Sequence, residues 1–254
     1  MPSVPPLLRR GRTWLIGIPI AVFLVAVVAP YVYIHFIEGP PPAKLTLNDA
    51  TVTSTTSTTT SGGVTATSDA SFAGSSSAGS SGSIAGAWKV TSGSQAGYRV
   101  QETLFGQGNT AVGRTTHVSG TMTIAGTTVS AANVVVDMTT VSSDRSQRDD
   151  QFRNRIMSTD QFPSATFKLT RPIDLGTLPA DGQQKTYSAI GDLTLRGVTK
   201  SVTVSLVAER KSGEILVNSD IKVSFDDFNI PDASGGPASV GRTGDIELLV
   251  AFAR

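Results

Sequence analysis

The 254-residue sequence contains no cysteine. Disulfide staples, thiol nucleophiles and thiolate metal sites are therefore excluded. Histidine is nearly absent too: His35 lies in an apolar run, and His117 is alone in the remainder. One imidazole without a thiol leaves little from which to build a zinc site or a His-based general acid or base. An excess of charge of one sign is also lacking. From Ala87 to Arg254 there are 17 Lys plus Arg against 17 Asp plus Glu, so no basic face is available for phosphates, and nucleic acid is not an expected partner. No metal and no cofactor is expected.

What is present divides the chain into four stretches. Residues 1–13 carry Arg9, Arg10 and Arg12. Trp14–Ile37 then runs 24 positions without a formal charge, enough at about 1.5 Å per residue to cross a hydrocarbon core of roughly 30 Å. It reads as a transmembrane helix, with Trp14, Tyr31 and Tyr33 at its ends suiting membrane interfaces and with prolines that spanning helices tolerate. A cleaved signal peptide is the alternative. The run exceeds the usual signal core, and no small-x-small cleavage site follows it. The basic residues ahead of it predict a cytoplasmic N-terminus and an extracytoplasmic C-terminal domain on a single-pass anchor in the cell membrane. Residues 38–86 read as a flexible linker: from Thr51 to Ser83, 29 of 33 positions are Ser, Thr, Gly or Ala, which cannot build a core. As a free coil this linker spans about 35 to 42 Å and leaves the domain tethered but undocked. Its hydroxyls make it a candidate for O-glycosylation or a plain spacer.

Residues 87–254 form one domain. Period-two alternation of apolar residues, broken every 8 to 12 residues by turn chemistry, predicts an all-β antiparallel barrel or sandwich. Tyr98, Val100 and Leu104 share one strand face; Phe167, Leu195, Val204 and Phe225 sit on others. Lys211-Ser212-Gly213-Glu214 predicts a tight hairpin. Ser143–Ser158 breaks the pattern. Its Phe152, Ile156 and Met157 spacing suits a short amphipathic helix capped by Ser143 or Asp144, a lid over one barrel end.

The order of Trp88, Val112-Gly113, Gly120, Val136-Asp137, Arg148-Asp149, Asp160-Gln161-Phe162-Pro163, Gly191-Asp192-Leu193-Thr194-Leu195-Arg196-Gly197-Val198-Thr199-Lys200, Phe228-Asn229-Ile230 and Val240-Gly241 resembles the YceI-like bacterial proteins. The ten-residue Gly191–Lys200 string is the most specific element. The resemblance implies an eight-stranded, lipocalin-like antiparallel barrel whose elongated apolar cavity holds a polyisoprenoid or similar long-chain lipid. Glu102 and Asp226 stand where relatives often carry His and Arg.

An eight-stranded barrel is wide enough to be filled by side chains or to hold one slender ligand. The expected cavity lining is Tyr98, Val100, Leu104, Phe167, Leu195, Val204, Phe225 and Phe228, with Phe152, Ile156 and Met157 on the lid. Arg148 is a candidate for a lipid headgroup phosphate, against the plainer reading of a salt bridge to Asp144 or Asp149. No catalytic residue is expected. Ser219 and Lys222 fall in a strand rather than on a helical turn, and Asp226 and Asp227, if on consecutive strand positions, point to opposite faces. Three functions remain open: a lipid-binding module, a filled barrel that contacts an envelope partner, and, more weakly, a lipid-active enzyme. Dimerisation is left open.

Overall fold

The computed structural model describes residues 40–49, 83–236 and 238–254. The expected membrane span Trp14–Ile37 and most of the linker lie outside them. Among the described residues no helix is long and apolar enough to cross a membrane.

Among the described residues thirteen strands form one antiparallel sheet: β1 Gly86–Val90, β2 Gln95–Leu104, β3 Gln107–Thr115, β4 Val118–Ala125, β5 Thr128–Asp137, β6 Ser142–Ser143, β7 Ser164–Leu169, β8 Ile173–Asp174, β9 Gln184–Leu195, β10 Val198–Lys211, β11 Glu214–Ser224, β12 Ala238–Val240 and β13 Thr243–Ala253. Several are segments of one longer strand. β1 and β2 both pair with β13, Lys89 facing Ala253 and Gln95 facing Leu249. β3 and β4 flank them in turn, Thr115 facing Ala96 and Thr121 facing Lys89. Counting each in-line pair once leaves eight strands. The ring closes where β13 meets β1, which removes the free edges that an open sheet would expose. The lipocalin-like barrel expected from the sequence is the observed fold.

Three of the four two-residue hairpins among the described residues carry a left-handed pair at the turn, Phe105-Gly106, Arg196-Gly197 and Ser212-Gly213; the fourth, Gly126-Thr127, has only Gly126 there. Paired positive φ values match the right-handed twist of the flanking strands, so two-residue loops of this kind set the register. At the Gly197 turn, Val198 faces Leu195, the Thr194 and Thr199 hydroxyls lie 2.8 Å apart, and the Phe162 ring sits under the turn. A Cβ on Gly197 would meet that ring at 2.5 Å. This gives the ten-residue string and the Phe162-Pro163 segment a common physical reason.

The lid helix is shorter than expected and its start differs. α1 spans Ser146–Gln151 with Arg145 at its N-cap and no side-chain cap bond. A wider turn follows at Phe152–Ile156, with the Met157 N–H donating to the Phe152 carbonyl at 2.8 Å. Neither Ser143 nor Asp144 caps the helix. Instead Asp149 reaches back, accepting from the Ser143 N–H at 2.8 Å and its hydroxyl at 2.6 Å.

The linker expectation needs a larger change, because residues 42–47 dock on the barrel's outer wall. The alternation of Leu45 and Leu47 ends before the Ser/Thr-rich stretch begins, and both side chains are buried over Leu216, Leu249 and Ala251. Lys44 Nζ lies 2.9 Å from Asp220, and Asn218 donates to the Leu45 carbonyl at 3.0 Å. At the far end, Arg254 donates to the Ser83 and Ala85 carbonyls. The described residues on either side of 50–82 are thus both held on the barrel.

Replacing Gly197 by Ala should strain the left-handed turn and press on Phe162. Left-handed strain alone costs about 1–2 kcal/mol, and each 1 kcal/mol lowers Tm by about 2–4 °C at this domain size. A Tm drop of several degrees in thermal unfolding by circular dichroism is expected; an unchanged Tm would refute the steric reading of the motif.

Candidate binding cavity

Barrel parity places Tyr98, Val100, Glu102 and Leu104 of β2 inward, and with Leu195 of β9, Val223 of β11 and the lid they enclose a cavity of about 700 Å³. This lies within the 300–1,000 Å³ typical of small-molecule sites. Its walls are mainly apolar. Polar groups gather at one rim, where Glu102, Arg145, Arg148 and Arg155 stand. We call that end the mouth; the Phe105-Gly106 and Arg196-Gly197 turns lie there, and the Gly126 and Ser212-Gly213 turns lie at the opposite end, where the interior is packed and which we call the closed end.

Nine of the twelve expected site residues line this cavity: Tyr98, Val100, Leu104, Arg148, Phe152, Ile156, Met157, Leu195 and Phe225. Phe167 and Val204 line a separate, smaller space of about 140 Å³ toward the closed end. Phe167 packs against both apolar clusters of the interior. Phe228, 3% exposed, is packed core that borders neither space. It follows Asp226 and Asp227 in a tight helical turn, Asp226–Phe228, so these two carboxylates are not consecutive strand residues. Asp226 is exposed and paired with Arg242.

The lid is fixed to the barrel by aromatic stacking and by ion pairs. Tyr98 stacks on Phe152 with ring centroids 5.1 Å apart and planes 14° from parallel. The ring fits because the facing residue on β3 is Gly113, where a Cβ would meet Tyr98 Cε1 at 2.4 Å. Burial holds the Tyr98 phenol well above its ordinary pKa near 10, since ionising it there would desolvate a charge. Arg148 donates to Glu102 at 2.9 Å and also binds Asp144, while Asn109 donates to Glu102 at 2.9 Å. Of the two partners expected for Arg148, Asp144 is present; Asp149 is occupied with Ser143. Arg155 ties the lid to the loop before β12, donating to the Asp232 and Ala233 carbonyls at 3.0 and 3.1 Å.

Glu102 was legible only as a departure from the family pattern, yet its position, four residues after Tyr98 with inward parity, marks a charge aimed at the interior. Other lining residues that strand reasoning missed are Met138, Val141, Ala165 and Ile230. Ala165 had a signal: it stands two residues before Phe167, at the same strand parity. Ser219 donates to the Ser205 carbonyl at 2.8 Å within the sheet. His117 lies between β3 and β4, its ring 3.5 Å from the Thr115 hydroxyl. Among the described residues no group of three His, Asp or Glu is placed to hold a metal ion.

The family model for the YceI-like domain matches residues 88–252. The chain belongs to the YceI-like family. Among solved structures, the YceI-like barrel is similar to a polyisoprenoid-binding domain from Saccharophagus degradans implicated in plant cell wall breakdown, at 16% identity and a TM-score of 0.54, covering 65% of this chain and 97% of that one. It also matches BcnA of Burkholderia cenocepacia, at 16% identity and a TM-score of 0.45, over 61% of this chain and 95% of that one. A Campylobacter jejuni YceI protein matches at 14% identity and a TM-score of 0.42, over 55% and 83%. No curated protein matches the chain. At 16% identity the Saccharophagus structure speaks to the fold.

The raised Tyr98 pKa makes stability depend on alkaline pH. A phenol that holds its proton more tightly when folded contributes stability that is complete below its ordinary pKa near 10 and is lost as pH climbs past it toward the folded value. Urea unfolding at pH 8 and at pH 11 should therefore show a smaller alkaline loss for Tyr98→Phe than for the wild type. Equal losses would mean that Tyr98 is not buried as described.

Proposed function

We propose that this protein is a non-enzymatic binding protein whose barrel holds one long apolar chain, a polyisoprenoid or a similar lipid, for storage, transport or protection at the outer face of a membrane in which Trp14–Ile37 anchors it. The observation that carries this reading is the open, mainly apolar cavity of about 700 Å³. At roughly 30 Å³ per methylene-sized group, near the share of one water in the liquid, that space takes about two dozen groups. Each contributes roughly 0.8 kcal/mol on leaving water, so a dozen or more outweigh much of the roughly 4–15 kcal/mol entropic cost of association.

The polar rim fits a ligand whose tail is inside and whose head stays at the mouth. Arg148 is already neutralised by Glu102 and Asp144, so its role is to fasten the lid rather than to capture a phosphate. A filled barrel acting only through its outside is the weaker reading, since it has no use for an open cavity bordered by small residues such as Ala111 and Ala165. The match to the YceI-like family and the similarity to the polyisoprenoid-binding domain of Saccharophagus support the choice of ligand class.

Ala165→Phe places a ring in the cavity. With a fluorescent polyprenyl probe, the wild-type chain from Pro40 onward should bind saturably, and the variant should bind at least tenfold more weakly while keeping its β-sheet circular dichroism spectrum. Equal binding by both would place the lipid elsewhere and overturn the cavity reading.

A further inference from the structure

The strap at residues 42–47 is held by the β2–β3 hairpin, whose tip stands beside the cavity mouth. Arg99 on β2 donates to the Pro42 carbonyl at 2.7 Å, and Arg114 on β3 donates to the Ala43 carbonyl. Both guanidiniums are held by Glu247, which is fully buried on the outer wall, at 2.5 and 2.7 Å. Six residues beyond Arg99, the hairpin ends in Phe105 beside the cavity mouth. Phe105 has φ 51° and is 54% exposed. Among the described residues it is the single large hydrophobic side chain left exposed. A left-handed turn favours Asn or Gly, and packing within the described barrel does not explain a phenyl ring held there in water.

The strap has a direction. Leu45 and Leu47 lie over Leu216, Leu249 and Ala251 toward the closed end, whereas Pro42 is held by Arg99, and Lys44 reaches Asp220 and Asp245 nearer the mouth. Read toward the N-terminus, the chain therefore climbs toward the mouth. The apolar run ends at Ile37, and five extended residues from there to Pro42 span at most about 18 Å. From Arg99 the hairpin tip is six strand residues away, about 20 Å. Arg99 faces Asp245 and, through it, Lys222; the closed-end turn at Ser212 is ten residues further, about 33 Å.

We propose that the lipid bilayer is a docking partner of the mouth end: the strap turns the mouth toward the membrane, and Phe105 enters the interface there. This rests on the reading of Trp14–Ile37 as an anchor, and deepens the proposed function by supplying a path along which a lipid passes from bilayer to cavity without crossing bulk water. Phenylalanine at a hairpin tip has no charge to desolvate, so shallow insertion needs no partner group.

Because the chain lacks cysteine, single labels are unambiguous. Full-length protein is reconstituted into phosphatidylcholine–phosphatidylglycerol vesicles with a fluorophore on Gly108→Cys near the mouth tip or on Thr127→Cys at the closed end, and quenched by nitroxide lipids. Quenching at least threefold stronger at Gly108→Cys is expected. Adding Phe105→Ala should reduce it, and Leu45→Glu with Leu47→Glu should bring the two sites together. Equal quenching in the wild-type background, or stronger quenching at Thr127→Cys, overturns the orientation although the protein floats with the vesicles. Failure to float overturns the anchor and the orientation with it. The two labels in the wild-type background decide the matter even where the strap variant does not fold.

Discussion

The width of an eight-stranded barrel is the constraint on which the rest of this structure depends. Closure through β1 and β13 fixes the ring at eight strands, and that ring is wide enough for one layer of large side chains and no more. Toward the closed end, Trp88, Met122, Ile124 and Phe252 occupy the interior. Toward the mouth, the wall carries Ala111 and Ala165 and the lid leans across, so the same cross-section is left open. Small residues at inward positions, rather than a different architecture, separate a cavity from a core.

Two clusters of charge stand where apolar packing ends. At the mouth, Glu102 and Arg148 satisfy one another at an inward position that would otherwise strand a charge. On the outer wall, Glu247 is wholly buried between Arg99 and Arg114, and the strap backbone covers the pair by accepting from both guanidiniums. Removing one member of such a group leaves an unpaired buried charge, so its members act together. The outer-wall leucines extend this seal: Leu216 and Leu249 would be solvent-facing on a bare barrel, and Leu45 and Leu47 bury them.

Much of this was legible in the sequence, for identifiable reasons. Period-two alternation fixed which residues face inward, and the Gly191–Lys200 string marked a hairpin whose left-handed turn needs Gly197 over Phe162. Alternation does not encode height along the barrel. Phe167, Val204 and Phe228 have the right chemistry for a cavity wall, but Phe167 and Val204 lie below it, and Phe228 sits in a short helical turn beside it. The helix start was misplaced because Asp149 bonds backward to Ser143, reversing the capping expected of Ser143 itself. The strap is hard to read in the sequence because the Lys44–Leu47 alternation holds only two apolar residues and stands just ahead of the Ser/Thr-rich stretch that gives the linker its character. That Leu216 and Leu249 sit at outward parity was the available signal that something covers them.

Lipid occupancy of the barrel is the central claim, and native mass spectrometry coupled to organic extraction, on protein purified from its own membranes, tests it most directly. A stoichiometric long-chain lipid that is released only when the barrel unfolds is the expected result. An apo mass that persists after incubation with polyprenyl lipids would contradict it.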